Sequence, residues 1–328
     1  MRCSAPPASP LPEWLYEAGI GESRAALIDD ATTDGRNIVE AAIELPTPLR
    51  LGTVARAKLV ELTAGGMGRL DIAGTEAVIP RIPHGVTKGA SLTVEIVREA
   101  IPESGRPKPA RAVASDAALQ DGPDLLARLH ATGLPVRILR AHEPDALEDA
   151  GWSELLEEAT SGAIVFPLGA LRMSPTPAMT LFDVDGPPPL EPLAIAAARA
   201  VGATIRRMGI GGSIGIDFPT LANKSARQAV ADAIDAALPQ PFERTAVNGF
   251  GFLQIVRPRP RASLPELLRA DPAAAIARAL LRRLEREPPG SPLHHRVSPA
   301  VHARLMAHPD WLAELARHTG VTHRLDSL

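Results

Sequence analysis

Apolar and polar positions change their period several times along the chain, and each change predicts a different element. Residues 1–12 carry no period and are rich in Pro, Ala and Ser, as expected of a flexible leader. From Glu13 to Leu45, Ser-Arg-Ala-Ala-Leu-Ile-Asp-Asp and Asn-Ile-Val-Glu-Ala-Ala-Ile-Glu-Leu flank a polar turn around Thr33-Asp34-Gly35. Two β-prone runs about such a turn predict a hairpin. Leu51–Thr63 and Ser91–Arg98 alternate, with brief apolar runs at Arg69–Ile72 and Glu76–Ile79 between them. Turn signals at Gly65-Gly66-Met67-Gly68 and Thr87-Lys88-Gly89-Ala90-Ser91 separate these runs, so residues 49–101 predict an OB-like barrel of short strands.

Residues 102–116 are basic and Pro-rich and read as a linker or strap. An acidic segment follows to about residue 160, with helical stretches around 122–131 and 152–160 and a strand at Pro135–Leu139. Its acidic excess is the sign of a solvated helix surface turned away from any polyanion. Beyond it, residues 176–186 and 211–218 read as two short apolar strands joined by an Ala/Arg-rich helix, Leu193–Met208. Asn223–Leu238 has helical periodicity. Glu243–Val256 predicts two strands broken at Asn248-Gly249-Phe250-Gly251, and Arg257, Arg259 and Arg261 follow, spaced by prolines, as an extended basic arm. Leu264–Glu287 and Val297–His318 are helical around a Pro-Pro-Gly break. The whole predicts an α+β or α/β multidomain protein.

Composition changes this picture only by exclusion. A net charge of −3 gives no global attraction to nucleic acid or membrane, so any basic surface is local. Aromatic residues make up 3% of the chain, too few for a surface of many stacked rings. The single cysteine, Cys3, excludes an internal disulfide and a cysteine-based zinc site within the chain. No run approaches the length of a membrane span and no secretory pattern opens the sequence, so the expectation is a soluble, cytoplasmic protein.

The candidate chemistry lies between Thr176 and Phe218. Thr-Pro-Ala-Met-Thr-Leu-Phe-Asp-Val-Asp-Gly and Gly-Gly-Ser-Ile-Gly-Ile-Asp-Phe each deliver an acidic residue at a strand tip, Asp183 and Asp217. Two strands joined by one helix form a crossover unit, which sets both carboxylates on one edge of a sheet. Mg²⁺ favours such a place because it takes one or two carboxylates and keeps room for phosphate and water. Asp183-Val184-Asp185 by itself also fits a nucleotide-sugar transferase or a plain turn, and the pairing with Asp217 is what outweighs both. Arg244, Arg257, Arg259 and Arg261 are candidate phosphate contacts, because a guanidinium donates two hydrogen bonds at once. The histidines show no metal-ligand spacing, and His294-His295 reads as a surface loop.

Three runs taken in order resemble the catalytic core of the ribonuclease E/G family. They are Gly-Ala-Leu-Arg-Met-Ser-Pro-Thr-Pro-Ala-Met-Thr-Leu-Phe-Asp-Val-Asp, then Ile-Arg-Arg-Met-Gly-Ile-Gly-Gly-Ser-Ile-Gly-Ile-Asp-Phe, then Phe-Gly-Phe-Leu-Gln-Ile-Val-Arg-Pro-Arg. The similarity covers about residues 165–265. The resemblance implies a ribonuclease-H-like piece beginning at 13–48, an inserted OB-like RNA-binding domain at 49–101, a shortened remainder at 102–164, a metal-dependent catalytic subdomain at 165–262 and a helical region at 263–328. It further implies a Mg²⁺-dependent endoribonuclease acting on single-stranded RNA, with Asp183 and Asp217 on the metal. Arg244 matches a family arginine near the scissile phosphate, and Lys108 an active-site lysine. Asp185 stands where the family has Asn, and either adds a ligand or repels Asp183. On the barrel, Leu70 and Ile79 occupy the positions of the family's RNA-stacking aromatic residues. The paired cysteines of the family's zinc link are missing, so no zinc-linked dimer is expected. The alternative function is an RNA-binding protein of the same fold without cleavage.

Overall fold

The computed structural model describes residues 12–29, 38–63, 65–103 and 107–328. The leader, Cys3 and the turn at Thr33-Asp34-Gly35 lie outside the described residues. The first segment holds three strands where a single hairpin was expected. β1 (Glu13–Gly19) and β2 (Glu22–Ile28) turn tightly through Ile20-Gly21, and β3 (Ile38–Glu44) pairs antiparallel with β2. Gly21 has φ +72°, and a Cβ there would lie 2.6 Å from the Trp311 ring, so the turn demands glycine twice over.

A closed five-stranded barrel follows: β4 (Val54–Leu62), β5 (Gly68–Ile72), β6 (Thr75–Ile79), β7 (Ser91–Arg98) and β8 (Ala110–Ala114). Leu59, Leu70, Ile72, Ala77, Ile79, Val94 and Ile96 lie inside it. The barrel runs past the expected boundary at 101. Its closing strand comes from the Pro-rich strap, parallel to β6 and antiparallel to β7.

The acidic segment then gives α1 (Leu125–His130), β9 (Val136–Ile138), α2 (Ala146–Asp149) and α3 (Trp152–Ser161), close to expectation. β9 pairs parallel with β1, completing a four-stranded sheet of order β3-β2-β1-β9. The barrel is thus an insertion between consecutive parts of this sheet. One sheet face buries Trp14, Ala25 and Leu27 under Leu125 and Leu129 of α1. The other gives Leu15, Ala26, Ile38, Ala41 and Ile43 to the main core.

The second sheet collects β10 (Ala163–Phe166), β11 (Gly169–Pro175), β12 (Thr180–Asp185), β13 (Gly212–Asp217), β14 (Glu243–Arg244) and β15 (Phe252–Arg257) in the order β10-β11-β12-β13-β15-β14. β12 and β13 are parallel, joined by α4 (Leu190–Arg207), and α5 (Lys224–Ala237) packs beside α4. Gly202 lets the two helices approach, since a Cβ there would lie 2.7 Å from that of Ala237. α4 also touches β3 of the first sheet, so one helix layer is shared by both sheets and the main core is continuous through it.

The expected helix 264–287 is two helices, α6 (Leu264–Ala270) and α7 (Pro272–Arg286), because Pro272 cannot continue the first. Pro309 likewise separates α8 (Pro299–Ala307) from α9 (Pro309–Thr319). The expected loop at His294-His295 is instead a strand, β16 (His294–Val297), paired parallel with β17 (Arg324–Ser327). This region clamps the β1–β2 turn: Ile20 is buried among Leu280, Leu281, Leu284, Leu305 and Trp311.

Beneath that clamp lies a buried ionic network. Glu17 and Glu22 sit on β1 and β2, and Arg24, 1% exposed, binds both. From α7, Arg278 Nε reaches Glu22 at 2.5 Å and Arg282 Nε reaches Glu17 at 2.8 Å. Arg286 also binds Glu17, and Arg282 binds Asp145 at 2.5 Å. Burial raises the Glu17 pKa, but the guanidinium groups of Arg24, Arg282 and Arg286 outweigh it and hold the carboxyl below the ordinary glutamate range. Asp145 is lowered likewise, burial being offset by hydrogen bonds from Arg282 and from the Glu148 backbone.

Glu17→Gln leaves three guanidinium groups without their shared anion, and removing one partner of a buried pair costs about 3–5 kcal/mol. Urea unfolding is expected to show that loss. The folded-state pKa values of Glu17 and Asp145 are depressed. Their contribution is therefore complete above the unfolded values near pH 4 and disappears as pH falls below them. The Glu17→Gln variant should accordingly show a flatter stability profile on the acid side than the parent.

Candidate functional site

The second sheet has one face against helices and one face without a covering element among the described residues. Alternation decides which side chains stand on each. Phe182, Val184, Ile214, Ile216, Leu253 and Ile255 face the helices and are buried. Leu181, Asp183, Asp185, Gly215, Asp217, Phe252, Gln254 and, from β11, Arg172 therefore occupy the open face.

The parallel register pairs Asp183 directly with Asp217. Neighbouring strands lie about 4.8 Å apart, so two carboxylates on one face in the same register stand side by side. Both are exposed, both lie at the carboxyl ends of parallel strands, and neither takes a hydrogen bond or ion pair among the described residues. Asp185 projects to the same face one repeat further on and is equally exposed. Arg172 is the register partner of Asp183 on β11 and is exposed with no ion pair of its own among the described residues. The site is thus a carboxylate pair flanked by a second acid and one available guanidinium.

Among the described residues no group of three or more His, Cys, Asp or Glu side chains is placed to hold a metal. The donor set is the two-carboxylate kind, which fits Mg²⁺ with its retained waters and does not fit the closed four-ligand site of structural zinc.

The other expected site residues are elsewhere. Arg244 pairs with Ile255 in register, which turns it to the helix face. There its guanidinium forks onto Asp235 of α5, with Nε 2.7 Å from Oδ1. That hydrogen bond raises the Arg244 pKa and lowers that of Asp235. Lys108 binds Glu103 at 2.6 Å, and Arg259 binds the same Glu103 at 2.9 Å as well as Glu266. Arg261 binds Glu99 at 3.0 Å. The expected basic arm is therefore a clip, tying the end of the barrel to α6. Arg257 turns inward to a cleft of about 710 Å³ between the two sheets. Burial pulls its pKa below the usual arginine value, and its Nε has no hydrogen-bond partner among the described residues. The expectation that Leu70 and Ile79 touch RNA is corrected: at 0% and 1% exposure they fill the barrel interior. Gly68, Leu70 and Ile72 point inward together, so the outer positions of that strand are Arg69 and Asp71.

Two features of the open face were not anticipated. Arg172 was readable from the alternation of β11, whose inner positions are Leu171 and Met173. The second is an apolar pavement. A Cβ on Gly215 would meet Phe252 Cζ at 2.7 Å, Leu181 Cδ2 at 2.8 Å and Met179 Sδ at 3.0 Å. A glycine within a strand is the sequence mark of such a close approach.

No family model matches the chain, and no curated protein matches it. The placement of side chains on the open face therefore carries the functional reading.

Asp183→Asn and Asp217→Asn remove exposed, unpartnered charges from a like-charged pair. Each is expected to leave metal-free stability within about 0.5 kcal/mol of the parent or slightly above it. Mg²⁺ should raise the melting temperature of the parent, as any ligand of the native state does, and raise neither variant's. Thermal unfolding across a Mg²⁺ titration measures both. A parent melting temperature that ignores Mg²⁺ removes the metal reading.

Proposed function

We propose that the chain is a Mg²⁺-dependent endoribonuclease that cleaves single-stranded RNA on the open face of the second sheet. The observation that carries this is the register of β12 with β13, which sets Asp183 beside Asp217 with neither carboxylate engaged. Unpartnered acids at the carboxyl ends of adjacent parallel strands serve no packing purpose and suit a divalent cation.

RNA as the substrate rests on the resemblance to the ribonuclease E/G family. The chain order is consistent with it: a meander with a fourth strand parallel to its first, interrupted by a closed barrel and followed by the sheet that carries the aspartates. In this reading the first sheet is the ribonuclease-H-like piece and the barrel is the OB-like insert.

Asp183 and Asp217 would hold the metal. A bound Mg²⁺ supplies a Lewis acid that activates water and neutralises charge on the phosphate. Arg172 is the cation positioned to hold a phosphate oxygen, since Arg244 and Lys108 are engaged elsewhere. Asp185, one repeat beyond Asp183, would help to orient water.

A second reading, RNA binding without cleavage, is favoured by one observation: the two cations that the family places at the phosphate are tied into ion pairs away from the aspartates. A labelled single-stranded RNA separates the two. The parent should cut it with Mg²⁺ and leave it intact with EDTA, and Asp183→Asn and Asp217→Asn should each slow cutting by orders of magnitude. Arg172→Ala should lower kcat about 100-fold or more, the cost of losing a donor to developing charge. Arg244→Ala should change it only a few-fold. Binding without cutting by the parent establishes the second reading.

A further inference from the structure

We propose that Phe250 and Phe252 form a nucleobase-stacking platform on either side of Asp217, so that a single strand is held by its bases while its phosphate lies at the carboxylate pair. This rests on the open face being the RNA site. It assigns two contact residues that the metal reading leaves unused.

Phe252 is the register partner of Asp217, and its ring leans back over Gly215 beside Leu181 and Met179. The result is a flat apolar floor one strand repeat behind the acids. Phe250 lies two residues the other way, in the turn that leads into β15. At 84% exposure it buries almost nothing within the chain.

That exposure is imposed by the loop. Asn248 Oδ1 accepts from the Phe250 and Phe252 N–H groups at 2.9 and 3.0 Å, and its carbonyl accepts from Gly251 N–H at 3.2 Å. Gly251 adopts φ +97°, where a Cβ would stand 2.1 Å from the Phe218 carbonyl oxygen. The Phe218 N–H in turn donates to Gly251 O at 3.2 Å, tying the loop to the strand end that carries Asp217. A rigid loop is thus built to hold one large ring in water beside a charged site.

An aromatic face accepts any base, and stacking of this kind supplies affinity without sequence readout. A protein surface patch would need apolar neighbours around Phe250. Here the loop is tied instead to the strand end that carries Asp217, whose register neighbour is Asp183, and a carboxylate pair that holds a cation suits the phosphate backbone.

The test uses the full chain with Ca²⁺ in place of Mg²⁺, so that oxygen ligands are met while the strand persists. Phe250→Trp places a reporter in water, against a background of Trp14, Trp152 and Trp311, all buried. Oligoadenylate should quench that reporter. Phe250→Ala, which removes no packed atom, should weaken oligoadenylate binding roughly 5- to 150-fold and Phe250→Trp should keep it. An abasic strand of the same length should bind parent and Phe250→Ala alike. Unquenched Trp at 250, or equal oligoadenylate affinity of parent and Phe250→Ala, overturns the platform. If the parent cuts RNA while Phe250→Ala leaves KM unchanged, the nuclease reading stands and the platform falls. Quenching by oligoadenylate without cleavage by the parent leaves the platform standing and removes the nuclease.

Discussion

Helix α4 has to satisfy two sheets at once, and most of the molecule follows from that. Its Ala194, Ala197, Ala198 and Val201 are fully buried, because β3 of the first sheet and β10–β12 of the second close on it from different sides. Small residues keep both sheets near, and a larger side chain at any of these positions would push one of them away. The same helix is the connection between β12 and β13, so its length and seating fix their register. The juxtaposition of Asp183 and Asp217 is therefore a consequence of core packing on the far side of the sheet.

The two faces of the second sheet divide the labour that results. One face spends its residues on the shared core and pairs Arg244 with Asp235 of α5. The other leaves three carboxylates and Arg172 unengaged among the described residues and keeps an apolar floor over Gly215. Charge that would be costly inside is thus concentrated where water and ions reach it. The barrel is held to this body by the Glu99–Arg261 and Glu103–Arg259 pairs, which draw on the basic run that follows β15.

Much of this was legible in the sequence wherever the signal was local. The strand–helix–strand unit carrying Asp183 and Asp217 was visible, as were the barrel's run of short strands and the helix α5. What was not legible depended on distant partners. The face of Arg244 is set by its register against Ile255 across a two-residue strand, which no periodicity reveals. β8 directly follows the prolines of the strap and becomes a strand only because β6 and β7 offer it both edges. Leu70 and Ile79 were assigned outward by resemblance, although the alternation of their own strands points them inward. The Glu17–Arg24–Arg282 network was invisible, since its members share no pattern and meet only after folding.

That network also orders events in time. Glu17 and Arg282 are 265 residues apart. At ribosomal rates of about 5–20 residues per second, their emergence is separated by roughly 13–53 s. Throughout that interval β1 and β2 have no α7 to share their charges with, and Ile20 has no apolar cover. The hairpin that begins the fold is thus among the last parts to reach its final surroundings, and a nascent chain carries its first sheet in a state still open to water and to chaperones.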